Sequence, residues 1–270
     1  MNYSAILKWY QLSGITEIIR ETPVDRFLAF KNMQPQTGAK KALIEPITPL
    51  KKEPVLQQKD ESLSFVAQAM SLSKEAETLA DLKEKISSFE GCSLKKTAIN
   101  TFIGVGKEKN PTVFCIFDAP KAPAERSGNL FEGPQGILLQ KMLAAIHLSP
   151  QNSYIAPLIP WRLPGDRKPS LTEEKICTPF LLRELELTNP DFILIFGAIP
   201  TRALLEIESI TKARQQIQKL NINNKEIPVI ATFGPDMVSA SQTSRKNAWD
   251  DLKKLSQLIQ NKASNNEEDK

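Results

Sequence analysis

The chain of 270 residues, 41% of them hydrophobic, is long enough to bury one α/β core and to carry an N-terminal extension. Its 35 Lys and Arg residues against 31 Asp and Glu residues give a formal net charge of +4, which permits nucleic-acid binding without indicating it. Charged residues interrupt the apolar pattern near the N-terminus, and no apolar stretch approaches the roughly 20 residues of a membrane helix. This argues against a signal peptide and a membrane span, and we expect a soluble cytoplasmic protein.

Three cysteines, Cys92, Cys115 and Cys177, are spread along the chain without close pairing. An odd number of widely spaced thiols suits a reducing cytosol better than a disulfide framework. Without reference to any family, these residues are best explained as buried thiols of the core.

The first third of the chain predicts two helices separated by a linker. Apolar residues at helical spacing, punctuated by Gly14 and Pro23, predict a short amphipathic helix within residues 1–30 that docks onto an apolar surface. Residues 31–62 are rich in Pro, Lys, Gln and Glu with no sustained period, which predicts a flexible linker. A near-helical apolar row then predicts one continuous helix over Ser64–Ser88.

Beyond that helix the chain alternates short apolar runs with amphipathic helical patterns. The predicted strands are Val113–Phe117, Tyr154–Leu158, Phe192–Phe196 and Val229–Phe233. The predicted helices are Gly136–Ile146, Glu173–Leu187, Pro200–Glu206 and Ser244–Ile259. Such alternation indicates parallel strands covered by helices on both faces. We therefore expect an α/β fold, a three-layer α/β/α sandwich with a central, mainly parallel four-stranded sheet, spanning residues 63–260 and followed by a disordered tail at 261–270.

Ligands of such sheets bind at the carboxyl ends of the strands. The loops that follow the four predicted strands are therefore the places to search for a site, and all are rich in Pro, Gly or charge: residues 118–133, 157–169, 197–198 and 234–237. No Gly-x-Gly-x-x-Gly pattern or phosphate-binding loop follows the first strand, so a nucleotide-binding fold has little support.

Several segments in and around these loops form a set by their order and spacing. They are Gly91–Lys95, Asp118–Pro120, Gly128–Gly133, Gly136–Leu143, Tyr154–Ile155, Trp161–Pro169, Cys177–Phe180, Phe196–Ala198, Ile210–Arg214 and Ala248–Leu252. Together they resemble the family 4 uracil-DNA glycosylases, especially members that begin with an extra N-terminal helix and linker. The resemblance implies an enzyme of base-excision DNA repair that hydrolyses the N-glycosidic bond of uracil in DNA.

In this family the uracil leaves the duplex, stacks on an aromatic ring and is read along its polar edge in a closed pocket. Phe131 matches the stacking position, although a core Phe that closes the loop would look the same. Asp118 matches a catalytic carboxylate that positions water or the sugar, but its side chain is one methylene shorter, which weakens that role. Ala119 and Pro120 follow it as expected substrate contacts. Lys121 replaces a glycine of the family and is best explained as a solvated surface lysine, with a phosphate contact as the alternative.

At two of the expected substrate contacts, side chains that the family uses to bind uracil are replaced in this chain by residues without the same hydrogen-bonding groups. Pro157 occupies the place of the uracil-reading Asn, and proline has neither the paired amide groups nor a backbone N–H with which to read uracil. Gly234 occupies the place of a His that donates to the uracil oxygen bearing developing charge, and losing such a donor alone could cost about a hundredfold in rate. His147, the sole histidine, follows a helix far along the chain and is expected at the surface.

The family also carries an iron–sulfur cluster held by four cysteines, as such clusters generally are. Cys92 and Cys177 match two of these ligand positions, whereas Phe89 and Trp161 occupy the other two. Cys115 lies inside a predicted strand and does not substitute by position. We therefore expect no metal and no cofactor, with Phe89 and Trp161 filling the volume of the cluster.

Two functions stay open at this point. The fold favours an active DNA glycosylase that uses Asp118, whereas Pro157 and Gly234 lean slightly toward a non-catalytic relative that binds DNA or a protein partner. We expect a monomer with DNA as its partner. Either function could use basic residues of the second and third loops as contacts to the phosphates of single- or double-stranded DNA, although a solvated charged loop explains them equally well. These residues are Arg162, Arg167, Lys168 and Arg214.

Overall fold

A computed structural model describes residues 56–268. The predicted N-terminal helix within residues 1–30 and most of the predicted linker lie outside this range. Within it, no helix combines the length and the apolarity needed to cross a membrane. The part of the chain that carries the family resemblance is described throughout.

Where the sequence predicted one helix over Ser64–Ser88, the structure has two: α1, Leu56–Glu75, and α2, Leu79–Ser88. The break falls at Thr78, whose backbone is extended and whose hydroxyl accepts a hydrogen bond from Asp81 N at 3.1 Å. A threonine N-cap satisfies an N–H group that the first helical turn leaves without a partner, so a new helix starts here. The prediction of a continuous helix is wrong because apolar periodicity carries no signal of capping.

The sheet has six strands in the order β1-β3-β2-β4-β6-β5. The strands are β1, Val105–Gly106; β2, Val113–Phe117; β3, Ser153–Pro157; β4, Phe192–Phe196; β5, Gln218–Ile222; and β6, Lys225–Thr232. The central four, β3-β2-β4-β6, pair in parallel and correspond to the four predicted strands. The two edge strands pair antiparallel and correct the predicted count of four.

The edge strands escaped prediction because neither carries a buried apolar run. Strand β1 has two residues, both exposed. In β5 exposed and partly buried residues alternate, and only Ile222 at its end is buried. A tight turn at Asn223 and Asn224 joins β5 to β6, with φ values of 52° and 62°. Positive φ at both central residues is the mark of a type I′ hairpin turn, to which asparagine is suited.

Helices cover both faces of the sheet, which confirms the three-layer α/β/α sandwich. The helices after α2 are α3, Ala122–Ser127; α4, Gly133–Ala144; α5, Leu171–Thr188; α6, Ala198–Leu205; α7, Ile210–Ala213; α8, Pro235–Ala240; and α9, Gln242–Glu268. One buried cluster joins α1, α2 and α5 to one face of the sheet, and a second joins α4, α8 and α9 to the other. Helix α9 continues to Glu268, beyond the predicted end of the domain at residue 260.

A buried carboxyl group ties α5 to the sheet. Glu184 is 3% exposed and accepts hydrogen bonds from Tyr154 Oη and from the Gly104 N–H, both at 3.0 Å. Burial raises the pKa of Glu184 to about 8, against the opposing effect of these two hydrogen bonds, so the group is largely a neutral acid at neutral pH. The segment before β1 and strand β3 are thereby fixed against the same helix.

Candidate active site at the strand ends

The carboxyl ends of the parallel strands open onto a cavity of about 320 Å³. Asp118, directly after β2, forms part of its wall, and the loops that follow β4 and β6 supply most of the rest. The lining residues are Asp118, Lys168, Phe196–Pro200, Ile210 and Phe233–Met237. All four loops that the sequence singled out therefore meet here, as expected of a parallel sheet.

A second, smaller cavity of about 40 Å³ also has Asp118 in its wall. Asp118, Pro235 and Asp236 line both cavities. The structure thus brings Asp118, Ala119, Pro120 and Gly234 together, four of the predicted site residues. The remaining walls of the smaller cavity come from the end of β2 and the loop after it, from α3, and from α4 with the loop before it: Phe117, Ala119–Lys121, Ala124, Leu130, Glu132, Gln135, Gly136 and Leu139.

Three charged side chains cluster between the two cavities. Lys121 Nζ lies 3.6 Å from Asp236 Oδ2, and the Lys121 side chain is 23% exposed. Burial raises the pKa of Asp118, the positive charge of Lys121 lowers it, and the negative charge of Asp236 raises it. Lys121 is therefore not the solvated surface lysine that the sequence favoured. Asp236 was not among the predicted site residues, although a carboxylate two residues after Gly234 in a strand-end loop was an available signal.

Two glycines shape the backbone of the site. Gly197 has a φ of 96°, a backbone angle that residues with a side chain rarely adopt, and it leads from β4 into α6. Gly234 has an ordinary φ of −70°. The nearest neighbours of a Cβ placed on Gly234 would be backbone atoms of Gly197 and Phe196, at 3.8–3.9 Å. The place where the family has a histidine therefore has room for a Cβ atom.

Phe131 lies apart from this site. It is half-buried, packs against the core on the α4 side, and lines a separate cavity of about 500 Å³ beside Phe102. Its backbone is fixed, because its N–H donates to Asn129 Oδ1 at 3.0 Å and a Cβ on Gly136 would lie 2.4 Å from its carbonyl carbon. The structure does not bring its ring to Asp118, and the stacking role of Phe131 stays a prediction.

Pro157 ends β3 and pairs in register with Phe117 at the end of β2. It is buried and lines neither of the cavities that Asp118 lines. The N–H groups that follow it join the two strand ends, since Leu158 N donates to the Phe117 carbonyl at 2.7 Å and Ile159 N to the Asp118 carbonyl at 2.9 Å. Pro157 therefore packs the end of the sheet, and a substrate contact through it stays a prediction.

The predicted DNA contacts on the second loop differ in how far they are engaged. Arg162 pairs with two carboxylates, one of them Glu125 at 3.4 Å. Arg167 makes two hydrogen bonds to the Glu173 carboxylate, at 2.6 and 2.9 Å. Lys168 is exposed at the larger cavity. To contact DNA, each arginine would have to exchange a carboxylate partner for a phosphate. The exposed ammonium of Lys168 is accessible to a phosphate as it stands.

Arg214 is held in the interior behind the site. Its guanidinium donates two hydrogen bonds to the Asp251 carboxylate, at 2.8 and 3.0 Å, and lies 5.3 Å from the centre of the Phe233 ring. Asp251 is buried and also accepts a hydrogen bond from Thr232 Oγ1 at 3.0 Å. Thr232 ends β6, so this network fixes the strand end from which the Gly234 loop leaves. A DNA contact by Arg214 stays a prediction, but its geometry favours a structural role.

We expect Arg214→Leu to lower the free energy of unfolding by about 3–5 kcal/mol, because the buried Asp251 carboxylate loses its bidentate partner and keeps only Thr232 Oγ1 and the more distant Lys254, at 3.8 Å. Urea unfolding followed by circular dichroism measures this loss. Lys219→Met is the matched control: it removes a pair with Glu226 whose side chains are 65% and 61% exposed, and should cost no more than about 1 kcal/mol. An Arg214→Leu protein of normal stability and weakened DNA binding would instead make Arg214 a DNA contact.

Cys92 and Cys177 are buried in the same core cluster, close enough for each thiol to influence the pKa of the other. Phe89 and Trp161 are buried in the same cluster, and Trp161 Nε1 donates a hydrogen bond to Thr101 Oγ1 at 3.0 Å. The donor set at this place is two thiols among aromatic rings. It does not fit the four thiolates of the family's cluster, because aromatic side chains supply no ligand at the other two positions.

Comparison with the sequences of known proteins identifies the family of this chain. Residues 103–253 match the sequence profile of the Uracil DNA glycosylase superfamily. The type-4 uracil-DNA glycosylase of Archaeoglobus fulgidus is 32% identical over 187 residues, which cover 67% of this chain and 94% of that protein. Those of Sulfurisphaera tokodaii and Thermotoga maritima are 28% and 27% identical, and the matched regions cover 67% and 68% of this chain and 85% and 95% of those proteins. The chain therefore belongs to the uracil-DNA glycosylase superfamily, as a divergent member similar to its family 4.

Proposed function

We propose that this protein is a DNA-repair glycosylase that hydrolyses the N-glycosidic bond of uracil in DNA, with Asp118 orienting the attacking water. The observation that carries the proposal is the cavity of about 320 Å³ at the carboxyl ends of the strands, with Asp118 in its wall. A cavity of this size falls within the range of small-molecule sites, about 300–1,000 Å³, so it can accept a flipped-out base. The relatives bear the name uracil-DNA glycosylase, which supports uracil as the base.

The electrostatics of Asp118 suit a group that takes a proton from water. Burial raises the pKa of Asp118, and a base whose pKa lies nearer the working pH accepts a proton more readily. Lys168 at the rim of the cavity is placed to contact a phosphate next to the flipped nucleotide. We further propose a monomer, and we propose a reducing cytoplasm as its location, which the buried, unbridged thiols of the three cysteines support.

The test is a single-turnover assay with full-length protein in excess over a uracil-containing oligonucleotide, single- or double-stranded. We expect release of uracil and an abasic site that alkali then cleaves. Duplex binding should weaken as the salt concentration rises, because contacts to phosphates release counterions from the DNA. The same oligonucleotide with thymine in place of uracil is the matched control and should stay intact.

Salt-dependent binding without uracil release at any protein excess would contradict the proposal. It would favour a non-catalytic relative that binds DNA, as the residues at Pro157 and Gly234 suggest. No binding even at low salt would favour a protein partner instead.

A further inference from the structure

An ion pair crosses the candidate site between two loops that are far apart in sequence. Lys121 lies between β2 and α3, Asp236 lies in the first turn of α8, and their charged atoms are 3.6 Å apart. Asp118 and Asp236 line both cavities, and the charges of Lys121 and Asp236 act on Asp118 in opposite directions. The three side chains form one electrostatic unit, the Asp118–Lys121–Asp236 cluster.

The ion pair is poorly explained as a stabilising contact. Asp236 is 56% exposed, and pairs exposed to that degree contribute little to stability. Lys121 by contrast is 23% exposed; it lies in the wall of the smaller cavity, and its partner Asp236 lines the larger, base-sized cavity as well. Holding a long side chain there costs rotamer entropy that such a pair hardly offsets. A cation held in this way beside Asp118 is expected where its position matters to function.

Release of a base from the sugar leaves negative charge on the base, and that charge needs a hydrogen-bond donor or a cation. Gly234 has no side chain that could supply a donor or a cation. Pro157 has neither a side-chain amide nor a backbone N–H. Among the described residues that line the two cavities, the cations are Lys121 and Lys168. Lys168 is exposed, so water screens its charge, whereas Lys121 is mostly buried and acts through a lower effective dielectric.

We propose that the Lys121 ammonium stabilises the departing base anion and that Asp236 positions it, an inference that rests on the proposed glycosylase function. The C1′–N bond breaks and its electron pair stays on the base. The oxygen of the attacking water bonds to C1′, and the proton of that water passes to the Asp118 carboxylate. Lys121 forms no covalent bond, and the base anion takes up its proton from solvent. The cluster thus supplies the positive charge that Gly234 cannot.

The test of Lys121 compares Lys121→Gln with the unchanged full-length protein on two substrates, one with uracil and one with 5-fluorouracil. Fluorine withdraws electrons and stabilises the leaving anion, so 5-fluorouracil needs less help from a cation in the transition state. We expect the single-turnover rate to fall about tenfold or more on uracil and distinctly less on 5-fluorouracil. A merely structural role would lower both rates equally. Lys121→Arg should recover part of the rate because it keeps the charge.

Asp236→Asn tests the positioning role. It keeps the size of the side chain but removes the charge that holds Lys121, so the rate at saturating protein should fall on uracil with little change in DNA affinity. Because Asp236 acts through Lys121, the double variant K121Q/D236N should be no slower than Lys121→Gln alone, whereas independent residues would have additive effects. Lys141→Gln removes an exposed cation that lines neither cavity and is the control.

Equal losses on the two bases, or a full rate in Lys121→Gln, would overturn the inference and leave the proposed glycosylase function standing. A double variant much slower than Lys121→Gln would overturn the positioning role of Asp236. An unchanged protein that releases neither base would overturn the inference and the proposed function together. Thermal unfolding identifies any variant that fails to fold. If Lys121→Gln does not fold, Lys121→Arg and Asp236→Asn decide the matter by their rates on the two bases.

Discussion

Asp118→Asn is expected to slow uracil release about 10²–10⁴-fold, because an amide cannot take the proton that the attacking water gives up. Asp118 lies in the wall shared by the two cavities, and asparagine has nearly the same shape, so the packing of the site is retained. Single-turnover kinetics measure the chemical step apart from product release. DNA affinity should be unchanged or higher, since the substitution removes a negative charge from the site at which we propose that DNA binds.

The pH dependence of the rate tests the same residue independently. In the proposed reaction Asp118 acts as a carboxylate, and burial raises its pKa above the ordinary value of 3.8. The rate should therefore be low below the raised pKa and increase as the pH rises through it, while Asp118→Asn should lack this limb. Asp118→Glu keeps a carboxylate and is the matched control expected to stay active. An Asp118→Asn protein of full rate would exclude Asp118 as the catalytic group.

Gly234→His is expected to raise the rate of uracil release, by up to about a hundredfold, because it adds a hydrogen-bond donor for the charge that develops on the base. Gly234 has a φ of −70°, and the nearest neighbours of a Cβ there would be 3.8–3.9 Å away, so the backbone accepts a side chain without strain. Gly234 lies in the wall of the larger cavity, from which an imidazole can reach a bound base. The single-turnover assay on the uracil oligonucleotide measures the gain.

Gly234→Leu is the matched control for this gain. Leucine fills similar space without a donor, so it should not accelerate release. If both variants are equally slow, the space beside Gly234 is needed by the substrate, and a missing donor is not what limits the rate. If leucine accelerates as much as histidine, exclusion of water explains the gain.

The layered fold could be predicted because each central strand is an apolar run buried on both faces. All five residues of Phe192–Phe196 are buried, and this strand was predicted to the residue. Strand β1 has too few residues for such a run, and β5 has one face in solvent, so the pattern marks neither edge strand. The break between α1 and α2 depends on the capping hydroxyl of Thr78, a single contact that periodicity does not report.

The site could be predicted in part. Asp118 and Gly234 were expected near one another because both follow parallel strands, whose carboxyl ends share one edge of the sheet. The pair between Lys121 and Asp236 depends on the directions of two side chains from distant loops, which no local pattern encodes. The position of Phe131 depends on the turn after α3 and on the close approach of its backbone to α4. The family resemblance therefore predicts a phenylalanine at this place in the sequence, but not which cavity that side chain lines.

The aromatic packing in the core cluster that contains Cys92 and Cys177 bears on how this protein unfolds and refolds. A fold tied at four points by a cluster loses iron when the chain opens, and its return then depends on redelivery of the metal. Phe89 and Trp161 lie in the same core cluster as packed side chains, so we expect unfolding to release no metal from these two positions. We therefore expect the native state to re-form in a reducing solution without added iron.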